Sequence, residues 1–85
     1  MDYVKIGKIT HYFDKISVAV LVITDDMVKV GDKIRIGEFN VGIEQNVDSM
    51  QVNHQNVSQA KIGDEVGLKV ISAVKSGDIV YKISE

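Results

Sequence analysis

The stretch Ile62-Gly63-Asp64, which precedes the alternating segment Glu65-Val66-Gly67-Leu68-Lys69-Val70, decides the fold because the chain repeats this arrangement. The other copies are Val30-Gly31-Asp32 and Ser76-Gly77-Asp78, and each is also followed by an apolar segment. Glycine tolerates positive φ and aspartate can hydrogen-bond its own backbone, so the pair predicts a tight turn that leads into a strand. Three such turns in a chain of 85 residues predict a small all-β barrel or sandwich.

The composition predicts a single domain over residues 1–85. Hydrophobic residues make up 45% of the chain, which is enough for a core, and the formal net charge is −2. Free-standing nucleic-acid binders usually carry a basic excess, so this charge balance disfavours that class without excluding it.

Two features bear on where the protein works. The chain contains no cysteine, so it has neither a disulfide framework nor a thiolate metal site. The N-terminus shows no secretory signal, and the longest apolar run, residues 18–23, is far shorter than the roughly 20 residues of a membrane-spanning helix. We therefore expect a cytoplasmic protein with no membrane partner.

The alternation of apolar and polar residues indicates six or seven strands. No segment shows the 3.6-residue period of an amphipathic helix, so no long helix is expected. The run 16–23 is apolar apart from Ser17, which predicts a strand buried on both faces or covered by a neighbour. Residues 55–60 have poor strand propensity and are expected to form a loop.

The sequence lacks the patterns that carry catalysis or cofactor binding. It has neither a G-x-S-x-G nucleophile elbow nor a G-x-x-x-x-G-K-[ST] phosphate loop, so we expect no GTP binding by this chain alone. His11 and His54 are the only histidines, and a metal site would need at least one more ligand. Asp25-Asp26 is typical of a solvated turn. We predict no catalytic residue, no metal and no cofactor.

Basic residues crowd the first 35 positions of the chain. Lys8, Lys29, Lys33 and Arg35 are candidates for contacts with a phosphate backbone. Acidic residues interleave with them, so the alternative is an ordinary solvated strand face.

The glycine-aspartate turns and their flanks resemble the second domain of the translational GTPases, among them elongation factor Tu and initiation factor two. The resemblance lies in four elements that occur in the same order, namely Gly7-Lys8-Ile9, Val28-Lys29-Val30-Gly31-Asp32-Lys33-Ile34, Ala60-Lys61-Ile62-Gly63-Asp64-Glu65-Val66-Gly67-Leu68 and Ser76-Gly77-Asp78-Ile79-Val80. It extends over nearly the whole chain. It implies a six-stranded, mostly antiparallel Greek-key barrel and the role of a translation elongation factor-like protein.

The same resemblance implies a binding pocket for the terminal adenosine of tRNA at Ile23, Val28, Gln51 and Leu68. The chain departs from the family pattern in two ways. Leu21-Val22 stand where the family usually has Gly-Arg, which removes a guanidinium that could pair with phosphate. Gln51 stands in place of the family's glutamate, which removes a carboxylate acceptor.

Two hypotheses follow. In the first, the chain is a non-enzymatic accessory module that docks RNA, either tRNA or ribosomal RNA, or a translation-associated protein. In the alternative, it is a protein-interaction barrel that acts as the detached C-terminal domain of a collagenase-like peptidase-family or tRNA-modifying enzyme. The chain also resembles the barrel at the C-terminus of collagenase-like peptidase-family proteins. An exposed apolar face on the strand at residues 18–23 would favour the alternative.

Overall fold

The computed structural model describes residues 2–37 and 42–84, and this part of the chain is all-β. Its strands are β1 (Asp2–Phe13), β2 (Val18–Ile23), β3 (Val28–Lys29), β4 (Lys33–Ile36), β5 (Ile43–Asn46), β6 (Met50–Val52), β7 (Gln55–Val57), β8 (Gln59–Ala60), β9 (Glu65–Lys69) and β10 (Ile79–Ser84). Within the described ranges, no helix is long and apolar enough to cross a membrane. The prediction of an all-β fold is confirmed.

Eight of these strands form one antiparallel sheet in the order β5-β4-β10-β1-β2-β9-β6-β7, and β3 pairs with β8 in a second sheet. The large sheet forms a half-barrel, so the expected six-stranded closed barrel is wrong in strand number and in closure. The segment at residues 55–60 explains part of the difference. Asn53 and His54 have φ of 53° and 64°, and this tight turn folds β7 back onto β6. The loop prediction there is therefore also wrong.

A glutamine side chain links β5, at one end of the sheet order, to the last residue of β9 and to the segment that follows. Gln45 Nε2 donates to the Lys69 carbonyl at 2.8 Å, and Gln45 Oε1 accepts from the Ile71 N–H at 3.0 Å. The glutamine is only 9% exposed. A buried amide needs hydrogen-bond partners, and Gln45 has two. These two bonds connect β5 to the end of β9, where the described residues form no strand ladder.

The core fills the inner face of the half-barrel with aliphatic side chains. Strand β2 shows the pattern: Ala19, Leu21 and Ile23 are buried, whereas the three valines between and before them are half-buried on the outer face. The strand therefore follows ordinary period-two alternation, and the first of the two alternatives predicted for it, burial on both faces, is wrong. The other buried members of the core are Ile6, Ile9, Val28, Ile34, Ile36, Val47, Met50, Ala60, Val66, Leu68, Val70, Val74 and Val80.

The three turns at residues 29–32, 61–64 and 75–78 share the sequence Lys-x-Gly-Asp and one geometry. Their glycines have φ of 98°, 98° and 97°. In turn 61–64, the Asp64 N–H donates to the Lys61 carbonyl at 3.0 Å, and the Lys61 N–H donates to Asp64 Oδ2 at 3.0 Å. The other two turns repeat both bonds at 2.9 to 3.0 Å. The predicted role of glycine and aspartate is thus observed, and the lysine contributes its backbone groups to these bonds.

Each of these turns also forms a pair of backbone hydrogen bonds with one residue elsewhere in the chain. The Gly63 N–H donates to the Ile23 carbonyl at 2.9 Å, and the Ile23 N–H donates to the Asp64 carbonyl at 3.0 Å. The first and third turns make the same pair of bonds with Val47 and Ile9. The turns therefore begin strands and also fix the positions of their neighbours.

Candidate functional site

The structure separates the residues that the translational GTPase resemblance assigns to a tRNA-end pocket. Ile23, Val28 and Leu68 lie in the core and are each 1% exposed. Gln51 lies on the outer face of β6, where its Nε2 donates to Asn56 Oδ1 at 3.2 Å. Only Gln51 of the four presents its side chain at the surface, and contact of the other three with a tRNA end stays a prediction.

The four candidate basic residues lie on three different strands. Lys8 on β1 and Lys29 on β3 are exposed. On β4, Arg35 Nη1 lies 2.8 Å from Glu44 Oε2, and Lys33 Nζ lies 4.0 Å from Glu44 Oε1. Arg35 is only 8% exposed. The charge of two of the four is therefore partly compensated by one carboxylate, and the four do not form a single stripe along one strand.

One part of the outer sheet face carries tyrosines. The rings of Tyr3 and Tyr81 meet edge to face with centroids 6.4 Å apart. In the strand register, Tyr81 lies directly opposite Arg35 on one side and Lys5 on the other. This arrangement of aromatic rings beside cations is one that a nucleic acid or a protein could contact.

A second part of the outer face carries an open groove of about 480 Å³, which we call the Gly67 groove. Its apolar side is formed by Phe13 at the end of β1, by Ile16 in the following turn, and by Val18 and Val20 on β2. Phe13 is 51% exposed and Ile16 is 58% exposed. The outer-face valines of the strand at residues 18–23 are only half-buried, and the exposed apolar side chains of the groove, Phe13 and Ile16, precede that strand.

The opposite side of the Gly67 groove is polar. It comprises Gln51 on β6 and Asn53 and His54 in the β6–β7 turn. Glu65 lies on β9, the strand that also carries Gly67. Gly67 lies between the two sides because it pairs with Val20 on one neighbouring strand and with Gln51 on the other. A cleft with one apolar side and one polar side can bind a chemical group that has both an apolar part and a polar part.

Sequence reasoning missed most of this groove. Phe13, Ile16 and Gly67 were not among the candidate residues. One signal could have found Gly67, namely a glycine in the middle of an alternating strand, where this residue type weakens the strand. The register that brings Val20 and Gln51 to either side of it is not readable from the sequence.

A smaller cavity of about 210 Å³ is lined by Ile36, Gly37, Ile43, Val74 and Asp78, among others. The Asp78 carboxylate there already accepts the Lys75 N–H, so it serves the third turn. Among residues 2–37 and 42–84, no three histidine, aspartate or glutamate side chains come together in a way that could hold a metal ion. His11 instead stacks on Phe13, with ring centroids 6.4 Å apart.

Comparison with solved structures relates this fold to two kinds of protein. It is similar to the C-terminal domain of a Geobacillus thermoleovorans protein assigned to the U32 peptidases, with a TM-score of 0.84, 13% identity, and coverage of 93% of this chain and 91% of that one. It is also similar to translation elongation factor SelB of Methanococcus maripaludis, with a TM-score of 0.67, 27% identity, and coverage of 94% of this chain but 19% of SelB. The first likeness shows the fold alone.

The chain is also similar in sequence to a curated protein. Over 83 residues, the chain is 40% identical to an uncharacterized protease of Methanocaldococcus jannaschii, which covers 96% of this chain. The chain spans only 20% of the length of that curated relative. No family model matches the chain.

Proposed function

We propose that this chain is a non-enzymatic docking module that binds the catalytic part of a U32 peptidase-like protein. The observation that carries the proposal is the 40% identity with the M. jannaschii protease over nearly the whole chain. The match occupies a fifth of that protease, so the larger part of the relative is available to carry its named activity. The likeness to a U32 peptidase C-terminal domain supports the same assignment at the level of the fold.

The mechanism proposed is surface recognition by a preformed scaffold. The inner face of the sheet is filled by the aliphatic core, so recognition falls to the outer face. The exposed apolar side chains of the Gly67 groove support a protein partner, because contiguous exposed apolar surface is typical of protein interaction sites. We place this function in the cytoplasm, in line with the absence of cysteine.

The test uses the M. jannaschii protease from which the matched fifth has been deleted. This truncated protease is titrated with the present chain and, as the matched control, with the protease's own excised segment, and binding is followed by calorimetry. We expect both to form a one-to-one complex, with the excised segment binding more tightly. Binding of the excised segment alone would contradict the proposal for this chain, and binding of neither would contradict a docking role for this domain.

RNA docking is a second candidate function, favoured by one observation, the 27% identity with elongation factor SelB over 94% of this chain. It predicts that tRNA or ribosomal RNA shifts the amide NMR signals of Lys8, Lys29, Lys33 and Gln51, and that these shifts fade between low and moderate salt because phosphate contacts depend steeply on salt. The net charge of −2 weighs against it. Absence of shifts at low salt would exclude this function.

A further inference from the structure

Gly67 is a glycine that the protein's own fold does not require. Its φ is not among the positive values found at other glycines of the chain. A Cβ built on it would lie 3.8 Å from the Gln51 carbonyl oxygen and 3.9 Å from the nearest Val18 methyl, which are ordinary contacts. Glycine inside a strand is destabilising relative to alanine because it loses more conformational freedom on folding. Neither backbone conformation nor crowding therefore accounts for this residue.

The position of Gly67 suggests what does account for it. A glycine within a strand often marks a place where a ligand or another backbone approaches closely. Gly67 lies on the outer face, between Val20 and Gln51, and its missing side chain leaves the groove open at its centre. The groove volume of about 480 Å³ falls within the roughly 300–1,000 Å³ range of pockets that bind small molecules. A single large side chain is no bigger than such a molecule, so the groove has room for one.

Charge indicates which kind of partner the groove suits. Among the described residues that line the groove, Glu65 is the one with a formal charge, and none is lysine or arginine. Within residues 2–37 and 42–84, the Glu65 carboxylate forms no ion pair. A phosphate backbone would be repelled here, whereas a cation would be attracted.

We propose that the Gly67 groove binds one aromatic or large aliphatic side chain of a protein partner, seated over Gly67 against Phe13, Ile16 and Val18. A lysine or arginine next to that side chain in the partner pairs with Glu65. This inference rests on the proposed docking function and adds to it the place and the chemistry of docking. Buried aromatic anchors in such pockets supply much of the energy of protein interfaces.

The experiment titrates the full chain with three capped tripeptides and follows amide NMR shifts. The probes are acetyl-Lys-Phe-Lys-amide, acetyl-Glu-Phe-Glu-amide and acetyl-Lys-Ala-Lys-amide. We expect saturable shifts at Val18 and Gln51 with the first peptide, and binding weaker by about tenfold or more with the other two, a factor that corresponds to roughly 1.4 kcal/mol. Equal binding of the three peptides, or no saturable shift at these residues, would overturn the inference.

Three variants separate the groove from general surface effects. Gly67→Val fills the groove and is expected to bind the Lys-Phe-Lys peptide about tenfold more weakly or worse, without a lower melting temperature. Gly67→Ala adds a smaller side chain at the same place. The same peptide titration is carried out on this variant if valine perturbs the strand. Glu65→Gln should abolish the preference for the basic over the acidic peptide. Ile71→Ser is the control, because Ile71 is 73% exposed and lies outside the groove lining.

Failure of this inference can be told apart from failure of the docking function. If Gly67→Val binds the truncated M. jannaschii protease as tightly as the unmodified chain does, the Gly67 groove is not the docking site, although the docking function is retained. If the unmodified chain binds the basic peptide but not the protease, the groove specificity stands and docking to that protease is overturned.

Discussion

Two glycines on the large sheet, Gly7 on β1 and Gly67 on β9, occupy strands on either side of β2 but for different reasons. A Cβ on Gly7 would lie 1.9 Å from the Val22 carbonyl oxygen, a distance at which the backbone must move. For a Cβ on Gly67, the nearest atom in the described part of the chain would be the Gln51 carbonyl oxygen at 3.8 Å. The fold therefore demands glycine at the first position and only permits it at the second. A residue that costs stability without a structural reason, as Gly67 does, points to function.

The largest effect is expected for Gly7→Ala. The new methyl group would overlap the backbone of β2, so β1 and β2 must separate where Gly7 pairs with Ile23. We expect a loss of about 3 kcal/mol or more in the free energy of unfolding. Urea unfolding followed by circular dichroism measures it, and a loss below about 1 kcal/mol would contradict the steric argument.

A smaller effect is expected for Gly63→Ala in the second Lys-x-Gly-Asp turn. No atom of the described residues lies within 4 Å of a Cβ there, so the expected cost comes from the positive φ of 98°. That cost is about 1–2 kcal/mol, or roughly 4–8 °C in melting temperature per kcal/mol for a domain of this size. Gly63→Asn is the matched control and should lose less, because asparagine tolerates this turn position. Equal losses for the two variants would point to another cause.

Asp64→Ala comes next, with an expected loss of about 1 kcal/mol. The variant removes the acceptor for the exposed Lys61 N–H, which water can partly replace. Asp64→Asn keeps an acceptor oxygen and should lose less than alanine does. Thermal unfolding of the two variants checks this order, and a reversed order would show that the carboxylate's hydrogen bond does not stabilise the turn.

The smallest effect has the opposite sign. Gly67→Ala is expected to raise the free energy of unfolding by up to roughly 0.5–1 kcal/mol, because alanine loses less conformational freedom than glycine on entering a strand. The same urea titration that measures Gly7→Ala measures it. A destabilisation comparable to that of Gly7→Ala would remove the contrast between the two glycines and, with it, the argument for a functional role of Gly67.

Much of the fold could be predicted because it depends on local chemistry. The glycine and aspartate of each turn act within four residues of sequence, so the turns at Gly31, Gly63 and Gly77 were readable, as was the β-strand content. The number of strands could not be predicted, because β7 exists only through its pairing with β6 and β8 only through its pairing with β3. Residues 55–60 carry little strand propensity of their own, and tertiary pairing overrides it.

The site was less predictable than the fold, for a related reason. Ile23, Val28 and Leu68 are apolar residues of strands, and apolarity alone does not tell a core position from a surface notch. Gln51 is at the surface, as its polarity suggests. The Gly67 groove depends on cross-strand register, which sets Gly67 between Val20 and Gln51 and cannot be read from any one segment.

The claim that Gly67 is kept open for a docking partner is tested by calorimetric titration of the truncated M. jannaschii protease with the unmodified chain and with Gly67→Val. We predict a complex with the unmodified chain and binding weaker by about tenfold or more for the variant, whose melting temperature is not lowered. Equal affinity of the two proteins for the protease would contradict the claim.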